Sequence, residues 1–179
     1  SNRADSDAEY LSDTTDYFYP QYQAGNDSTG INRAWTLFDT SSISTGDTVS
    51  AAVISVTGNL VNDAWDSNEE YHYVTITGGS PASNTAIVAA DYSAMTALNS
   101  PTEFMDRSVS NVNWAYNDSA YNNVLTMNAA GRAGIAKDGI TKLMWRDSAD
   151  VDNSGEPATT DRCYCRSADY TGTSKDPKL

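Results

Sequence analysis

Basic residues are scarce in this chain of 179 residues, in which 11 lysines and arginines stand against 24 acidic residues, for a net charge of −13. Proteins that bind DNA or RNA use clusters of positive charge to release counterions from the phosphates. The sequence has no such cluster, so we expect no nucleic-acid partner. An anionic membrane surface is disfavoured for the same reason.

Long apolar runs are also missing. No stretch approaches the roughly 20 apolar residues that a membrane-spanning helix needs, so we expect no membrane insertion. The first nine residues are polar and acidic, unlike the basic and then apolar start of a signal peptide. Because the chain begins at Ser1 without a methionine, we expect either a processed protein or a fragment, and an exported precursor stays open.

Histidine occurs once, and this limits the catalytic chemistry that can be expected. His72 lies between two tyrosines in an alternating pattern, which a strand explains without catalysis. No Gly-x-Ser-x-Gly motif is present to position a nucleophile. A polysaccharide hydrolase needs only two carboxylates, but abundant acids alone do not indicate a catalytic pair. We therefore expect no enzyme activity.

The residues that are abundant favour strands and turns. Of the 24 acidic residues 19 are aspartates, and Ser, Thr and Asn are frequent. Asp, Asn and Ser favour turns, whereas Thr, Tyr, Val and Trp fit a pleated surface. The composition predicts an all-β domain, and it is typical of extracellular and virion surface proteins. The location we expect is accordingly extracellular or on a virion surface.

Short strands separated by turn residues predict an antiparallel two-sheet β-sandwich, with a β-barrel as the alternative. A polar, partly extended N-terminal segment at 1–32 precedes a sandwich domain at 33–179. The segment 48–58 carries apolar side chains on both faces, which predicts a central strand. The predicted strands lie at 33–39, 48–58, 71–77, 108–116, 123–127, 141–146 and 162–168.

One short helix is predicted near 128–138. Asn128 can cap its first turn, Ile135 can face the core, and Gly139 can end it in a left-handed conformation. Two internal glycines make it a weak helix that depends on packing.

Several strings resemble a family of jelly-roll-like β-sandwich domains from bacterial extracellular and phage or virion-associated proteins, related to DNRLRE-type carbohydrate-binding modules. The most specific strings are LFDTSSI at 37–43 and GTSKDPKL at 172–179; PASNT at 81–85, NAAG at 128–131 and DVDN at 150–153 add to them. The resemblance implies a non-catalytic structural or accessory role. The literal DNRLRE string is absent, as is the closing apolar strand that usually follows in such relatives.

A sandwich without its last strand exposes a row of unpaired backbone groups. The N-terminal segment, a neighbouring subunit or further residues of a longer chain could fill that edge; alternatively, Lys178 and Leu179 already begin a short strand. We expect partners to be other copies of the chain or other assembly subunits. The candidate assembly residues are Tyr17, Phe18, Tyr19, Tyr22, Cys163 and Cys165.

The two cysteines lie two positions apart, so in a strand both point to one face. That spacing strains a direct disulfide. Buried free thiols and an edge position that crosslinks to another chain both stay open.

An acidic loop at 147–161 resembles the start of a calcium loop, because alternate oxygen-bearing side chains precede a glycine. Calcium is the candidate cofactor, although Asp161 replaces the bidentate glutamate that such loops carry at position twelve. A solvated acidic turn is the alternative. The candidate metal ligands are Asp147, Asp150, Asp152, Ser154 and Glu156.

Tryptophans can anchor a core or stack on a sugar ring. Trp35, Trp114 and Trp145 lie in strand patterns and are predicted core residues, whereas Trp65 lies in a loop and is the candidate for carbohydrate binding. The sequence as a whole predicts a non-catalytic structural or adhesive module of an assembly, such as a fibre, tail or decoration component. A carbohydrate-binding module is the alternative, in which another domain supplies any catalysis.

Overall fold

The computed structural model describes residues 17–23, 30–59, 73–107, 114–115, 117–154 and 161–179. Within these ranges ten short strands pair antiparallel, with two short α-helices and one 3-10 helix at Ala89–Ser93. The prediction of an all-β chain is confirmed. The strands form four small sheets of two or three strands each, so the finer prediction of a two-sheet sandwich is not established.

The strands are β1 Tyr17–Phe18, β2 Gln21–Gln23, β3 Gly30–Asn32, β4 Ala34–Asp39, β5 Val53–Val56, β6 Val74–Gly78, β7 Asn123–Thr126, β8 Ile140–Asp147, β9 Asp161–Arg162 and β10 Cys165–Arg166. The helices are α1 Ala129–Ala133 and α2 Ser148–Asp152. Strand order is β4-β8-β6 and β3-β2-β9 in the three-stranded sheets, and β1-β10 and β5-β7 in the two-stranded sheets.

The longest strand, β8, lies at the centre of its sheet. It pairs with β4 on one side and with β6 on the other, and its residues from Leu143 onward are buried on both faces. A strand covered on both faces needs a nearly continuous run of buried side chains. Trp145 fills the centre, and its indole nitrogen donates to the hydroxyl of Thr36 at 2.9 Å.

The core forms between this sheet and the β5-β7 pair. Ile54 and Val56 from β5 and Leu125 from β7 join Trp145 in one buried cluster. Trp114 belongs to the same cluster, whereas Trp35 is only half-buried and lies against Gly79. Two of the three predicted core tryptophans are therefore buried.

Helix α1 begins as predicted and ends earlier. The side chain of Asn128 accepts a hydrogen bond from the backbone of Gly131, and Ile135 joins the core. The helix ends at Ala133, and Gly139 does not close it, because Gly172 is the only described glycine with a positive φ. The left-handed residue of this turn is Asp138, a residue type that tolerates that conformation.

Three glycines make room for the ring and backbone of Phe104. A Cβ on Gly78 or Gly134 would lie within 3 Å of the Phe104 ring, and one on Gly131 would lie 2.2 Å from the Phe104 carbonyl oxygen. The glycines that weaken α1 as a helix are thus the residues that let it pack.

The sequence predicts one helix, and the described residues form two α-helices. Helix α2 lies inside the segment predicted as an acidic loop, because the carboxylate of Asp147 caps it by accepting from the backbone of Ala149 at 2.7 Å. The predicted strand at 162–168 is divided between β9 and β10. Most of the predicted strand at 108–116 lies outside the described residues.

Candidate functional site

Strand β5 has two edges: an inner edge, which pairs with β7, and an opposite edge, which other segments pair with over part of its length. Strand β7 pairs with the inner edge, and the carbonyl of Ala52 extends this pairing by accepting from the backbone of Met127 at 3.0 Å. Backbone groups of an extended chain alternate between its two edges. The odd-numbered residues from 51 to 59 therefore present their N–H and C=O groups to the opposite edge, which we call the outer edge.

Segments near the C-terminus cover the outer edge from Ser55 to Asn59. Asn59 donates to the carbonyl of Tyr164 at 3.0 Å, and the carbonyl of Thr57 accepts from Arg166 at 2.8 Å. Ser55 and Lys178 exchange two backbone hydrogen bonds, of 2.8 and 3.0 Å. Lys178 thus forms an isolated antiparallel bridge to β5, which is the short pairing that one of the sequence alternatives expects.

Ala51 and Val53 lie on the outer edge beyond the stretch that these segments cover. No other described residue pairs with their backbone groups on this side, and the side chain of Val53 is 39% exposed. The sequence predicts a central strand over 48–58, but the structure assigns only 53–56 as strand. Residues 48–52 are not assigned as strand, and no described residue pairs with Ala51 on the outer edge.

An apolar cavity lies beside this open stretch. It has a volume of about 140 Å³ and is lined mainly by the side chains of Ile43, Val49, Ala52, Ile135 and Leu179. A space of this size holds one or two aliphatic side chains. Ala51 and Leu179 both line this cavity, so a strand added on the outer edge at Ala51 and Val53 would lie beside it.

Residues 17–23, here called the N-terminal arm, contribute two strands to the body of the chain. In the arm, β1 pairs with β10, so that Phe18 lies opposite Cys165 and Tyr17 opposite Arg166. Strand β2 pairs with β3 and with β9, and Tyr22 lies opposite Asp161. The structure therefore brings the predicted assembly residues of the two chain ends together within one molecule.

Aromatic side chains reinforce this contact. The ring of Phe18 lies edge-on to Trp145 with centroids 5.3 Å apart, and the rings of Tyr17 and Tyr19 contact Tyr164 at 5.2 and 4.5 Å. Edge-to-face and offset pairs at these distances are favourable. The arm thus covers the buried indole of the central strand.

Both cysteines are free and fully buried beneath the arm. Burial raises the pKa of the Cys163 thiol well above its usual range, and the neighbouring Cys165 thiol adds to the increase. A buried neutral thiol is a poor nucleophile. A crosslink to another chain would therefore require this region to open first.

The predicted calcium ligand Asp150 is paired with two arginines. Its carboxylate accepts from Arg33 at 2.8 and 2.9 Å and from Arg146 at 2.6 Å, and all three side chains are almost completely buried. Arg33 also lies 4.3 Å from the ring centroid of Tyr92. Two guanidinium groups occupy the oxygens that a cation would need.

Asp152 is held in a similar way at the surface. Arg107 bridges it to Glu103, and Glu103 also accepts from the hydroxyl of Thr75 at 2.6 Å. Within the described ranges no three His, Cys, Asp or Glu side chains are grouped so as to hold a metal. Ser154 is exposed, while Glu156 lies outside the described residues, and calcium binding stays a prediction.

Arg33, Arg107 and Arg146 were not among the site residues predicted from the sequence. A signal exists for two of them, since Arg146 precedes Asp150 by four positions and Arg107 follows Glu103 by four. No local spacing connects Arg33 with Asp150, which are 117 positions apart.

Three other predicted positions are not described by the structure. Trp65, the candidate for carbohydrate binding, His72 and the side chain of Tyr22 lie outside what it describes.

No protein-family model, no curated protein and no solved structure matches this chain. Among the described residues, no helix combines the length and apolar character needed to cross a membrane. At the candidate site, the outer edge is paired from Ser55 to Asn59, and no described residue pairs with it at Ala51 and Val53.

Proposed function

We propose that this chain is a non-catalytic structural or adhesive module of an extracellular or virion assembly, such as a fibre, tail or decoration component. In this proposal its copies associate by strand addition at the outer edge beside β5. The observation that carries the proposal is that no described residue pairs with the outer-edge backbone of Ala51 and Val53, next to an apolar cavity.

The energetics of that edge support the proposal. An added strand forms several backbone hydrogen bonds, each worth about 1 kcal/mol net. Apolar side chains entering the cavity add roughly 25 cal/mol per Å² of buried surface. If each copy donates a strand on one side and accepts one on the other, the contact does not close and a filament results.

The proposal also includes a specific type of β-fold. We propose a jelly-roll-like sandwich related to the DNRLRE-type modules, on the strength of the strings at 37–43 and 172–179. The alternative, a carbohydrate-binding module, depends on Trp65 and would be favoured by glycan binding that is lost in Trp65→Ala.

The experiment that tests the proposal blocks the open edge without disturbing β7. The N–H of Val53 faces the outer edge and has no hydrogen-bond partner among the described residues, so Val53→Pro removes a donor that an added strand would use, and edge positions tolerate proline. Val53→Ala is the matched control, because it shortens the same side chain and keeps the donor.

We expect the wild-type chain and Val53→Ala to form dimers or larger species as concentration rises, measured by size-exclusion chromatography with light scattering. Val53→Pro should remain folded by circular dichroism and shift toward monomer. Equal assembly of Val53→Pro and Val53→Ala would refute association at this edge. A wild-type chain that stays monomeric at all concentrations would refute self-association.

A further inference from the structure

We propose that the N-terminal arm is exchanged between copies, so that the arm of one chain pairs with β9 and β10 of another. This inference rests on the proposed self-association and names a segment that links the subunits. It starts from the contact between the arm and the body rather than from the open outer edge.

The arm is attached by short ladders. It has two residue pairs between β1 and β10, two between β2 and β9 and three between β2 and β3, whereas the single ladder between β4 and β8 has six. Regions with few paired residues open at a lower free energy than the whole fold. None of the arm's pairs involves β4, β6 or β8, so the arm can detach while the β4-β8-β6 sheet keeps its pairing.

Exposing the surface beneath the arm to solvent costs free energy. Opening the arm uncovers Trp145 and the two cysteines, which are fully buried when it is in place. An exposed apolar surface of this kind favours association. Re-covering it requires an extended segment with Phe18 in register with Cys165 and tyrosines against Tyr164.

A second copy of this chain carries such a segment. Its arm offers the same backbone register and the same aromatic rings, so every contact made within one molecule can be repeated between two. The six residues at 24–29 link β2 to β3. An exchanged arm would consequently also move the β2-β3 pairing into the contact between copies.

A cysteine introduced into the arm can show, by the disulfide it forms, whether the arm pairs with its own chain or with another copy. Phe18 and Cys165 are directly opposed in an antiparallel pair, where Cα atoms are about 4.5–5.5 Å apart. This separation lies within the range that a disulfide spans. Phe18→Cys in a Cys163→Ala background leaves one thiol on each side, so that diamide can oxidise the pair to a single disulfide.

We expect oxidised Phe18→Cys to give reducible dimers and larger species on a denaturing gel. While dimers are a minority, their fraction should rise about tenfold for a tenfold rise in concentration, as mass action requires. Gly46→Cys in the same background is the control, because Gly46 has open space around it and reports random collision. A disulfide that forms only within the monomer at every concentration would overturn arm exchange.

A second variant covers the case in which loss of Phe18 prevents folding. Gln21 lies opposite Arg162 in the β2-β9 pair. We therefore introduce Gln21→Cys and Arg162→Cys into a chain in which both native cysteines are changed to alanine. The disulfide between these two positions again shows whether the arm pairs within one chain or between two. Wild-type assembly is measured in parallel. If the wild type assembles and the disulfides stay within monomers, arm exchange is wrong and the outer-edge proposal stands. If the wild type stays monomeric, both proposals are wrong.

Discussion

Arg146 donates from Nε to the carboxylate of Asp150 at 2.6 Å, and neither side chain is exposed to solvent. The other two guanidinium nitrogens of Arg146 donate to backbone carbonyls of Ala97 and Leu98. Arg33 reaches the same carboxylate from the residue before β4. One buried aspartate thus joins α2, the central sheet and the segment after the 3-10 helix.

Replacing Asp150 should be among the most destabilising single changes outside the apolar core. Asp150→Asn keeps the shape and leaves two buried guanidinium groups without their negative partner, at an expected cost of about 3–5 kcal/mol. Asp152→Asn is the control, because Asp152 is 46% exposed and its ion pair is worth at most about 1 kcal/mol. Urea unfolding at pH 7 measures both; equal effects would contradict the role given to the buried pair.

The same carboxylate should make stability depend on pH. Burial alone would raise the pKa of Asp150, but the hydrogen bonds and charges of Arg33 and Arg146 outweigh it and lower the pKa. Its contribution is therefore fully present above the unfolded pKa, near 4, and is lost as pH falls through the lower folded value. The gap in unfolding free energy between wild type and Asp150→Asn should narrow below about pH 4. A gap that stays constant down to pH 2 would contradict this prediction.

Helix α1 should be destabilised by a better helix former. Gly131→Ala gains up to about 1 kcal/mol in helix propensity. The new methyl group would meet the Phe104 carbonyl oxygen at 2.2 Å, and overpacking of this kind costs about 1–3 kcal/mol. We expect a net loss in urea midpoint. Gly46→Ala, where nothing lies within 4 Å, should change stability by less than about 0.5 kcal/mol.

Calcium should affect an Arg107 variant more than the wild type. Arg107 bridges Glu103 and Asp152, and its loss leaves two carboxylates that repel each other until a cation binds. The melting temperature of Arg107→Ala should therefore rise in millimolar calcium relative to chelator, by more than that of the wild type. Identical melting curves with calcium and with chelator for both proteins would leave the acidic segment without a metal role.

Salt should strengthen self-association. Each copy carries a net charge of −13, so copies repel one another at low ionic strength. Raising salt from about 0.01 to 0.15 M shortens the Debye length from about 30 to about 8 Å and screens that repulsion. Sedimentation velocity should show larger species at the higher salt concentration. Weaker association in salt would instead indicate that attraction between opposite charges holds the copies together.

Local patterns predicted the elements whose signals lie within a few residues. The aromatic and β-branched residues at 33–39 and 141–146 became β4 and β8, and Asn128 capped its helix. The sequence could not show that β5 would be paired over only part of 48–58, because the extent of this pairing depends on the position of Lys178 in the fold. The contact between Phe18 and Cys165 was equally hidden, since pairing between the two ends of a chain leaves no local period.

The pairing of distant segments also determines when this chain can fold during synthesis. Thr36 in β4 accepts from Trp145 in β8, 109 positions later, so the described sheet partner of β4 is translated long after β4 itself. At about 5–20 residues per second this delay is on the order of 5–20 s. Folds dominated by such long-range pairs also form slowly, in milliseconds to seconds. During that interval the unpaired strand edges of the nascent chain can bind chaperones or strands of other chains.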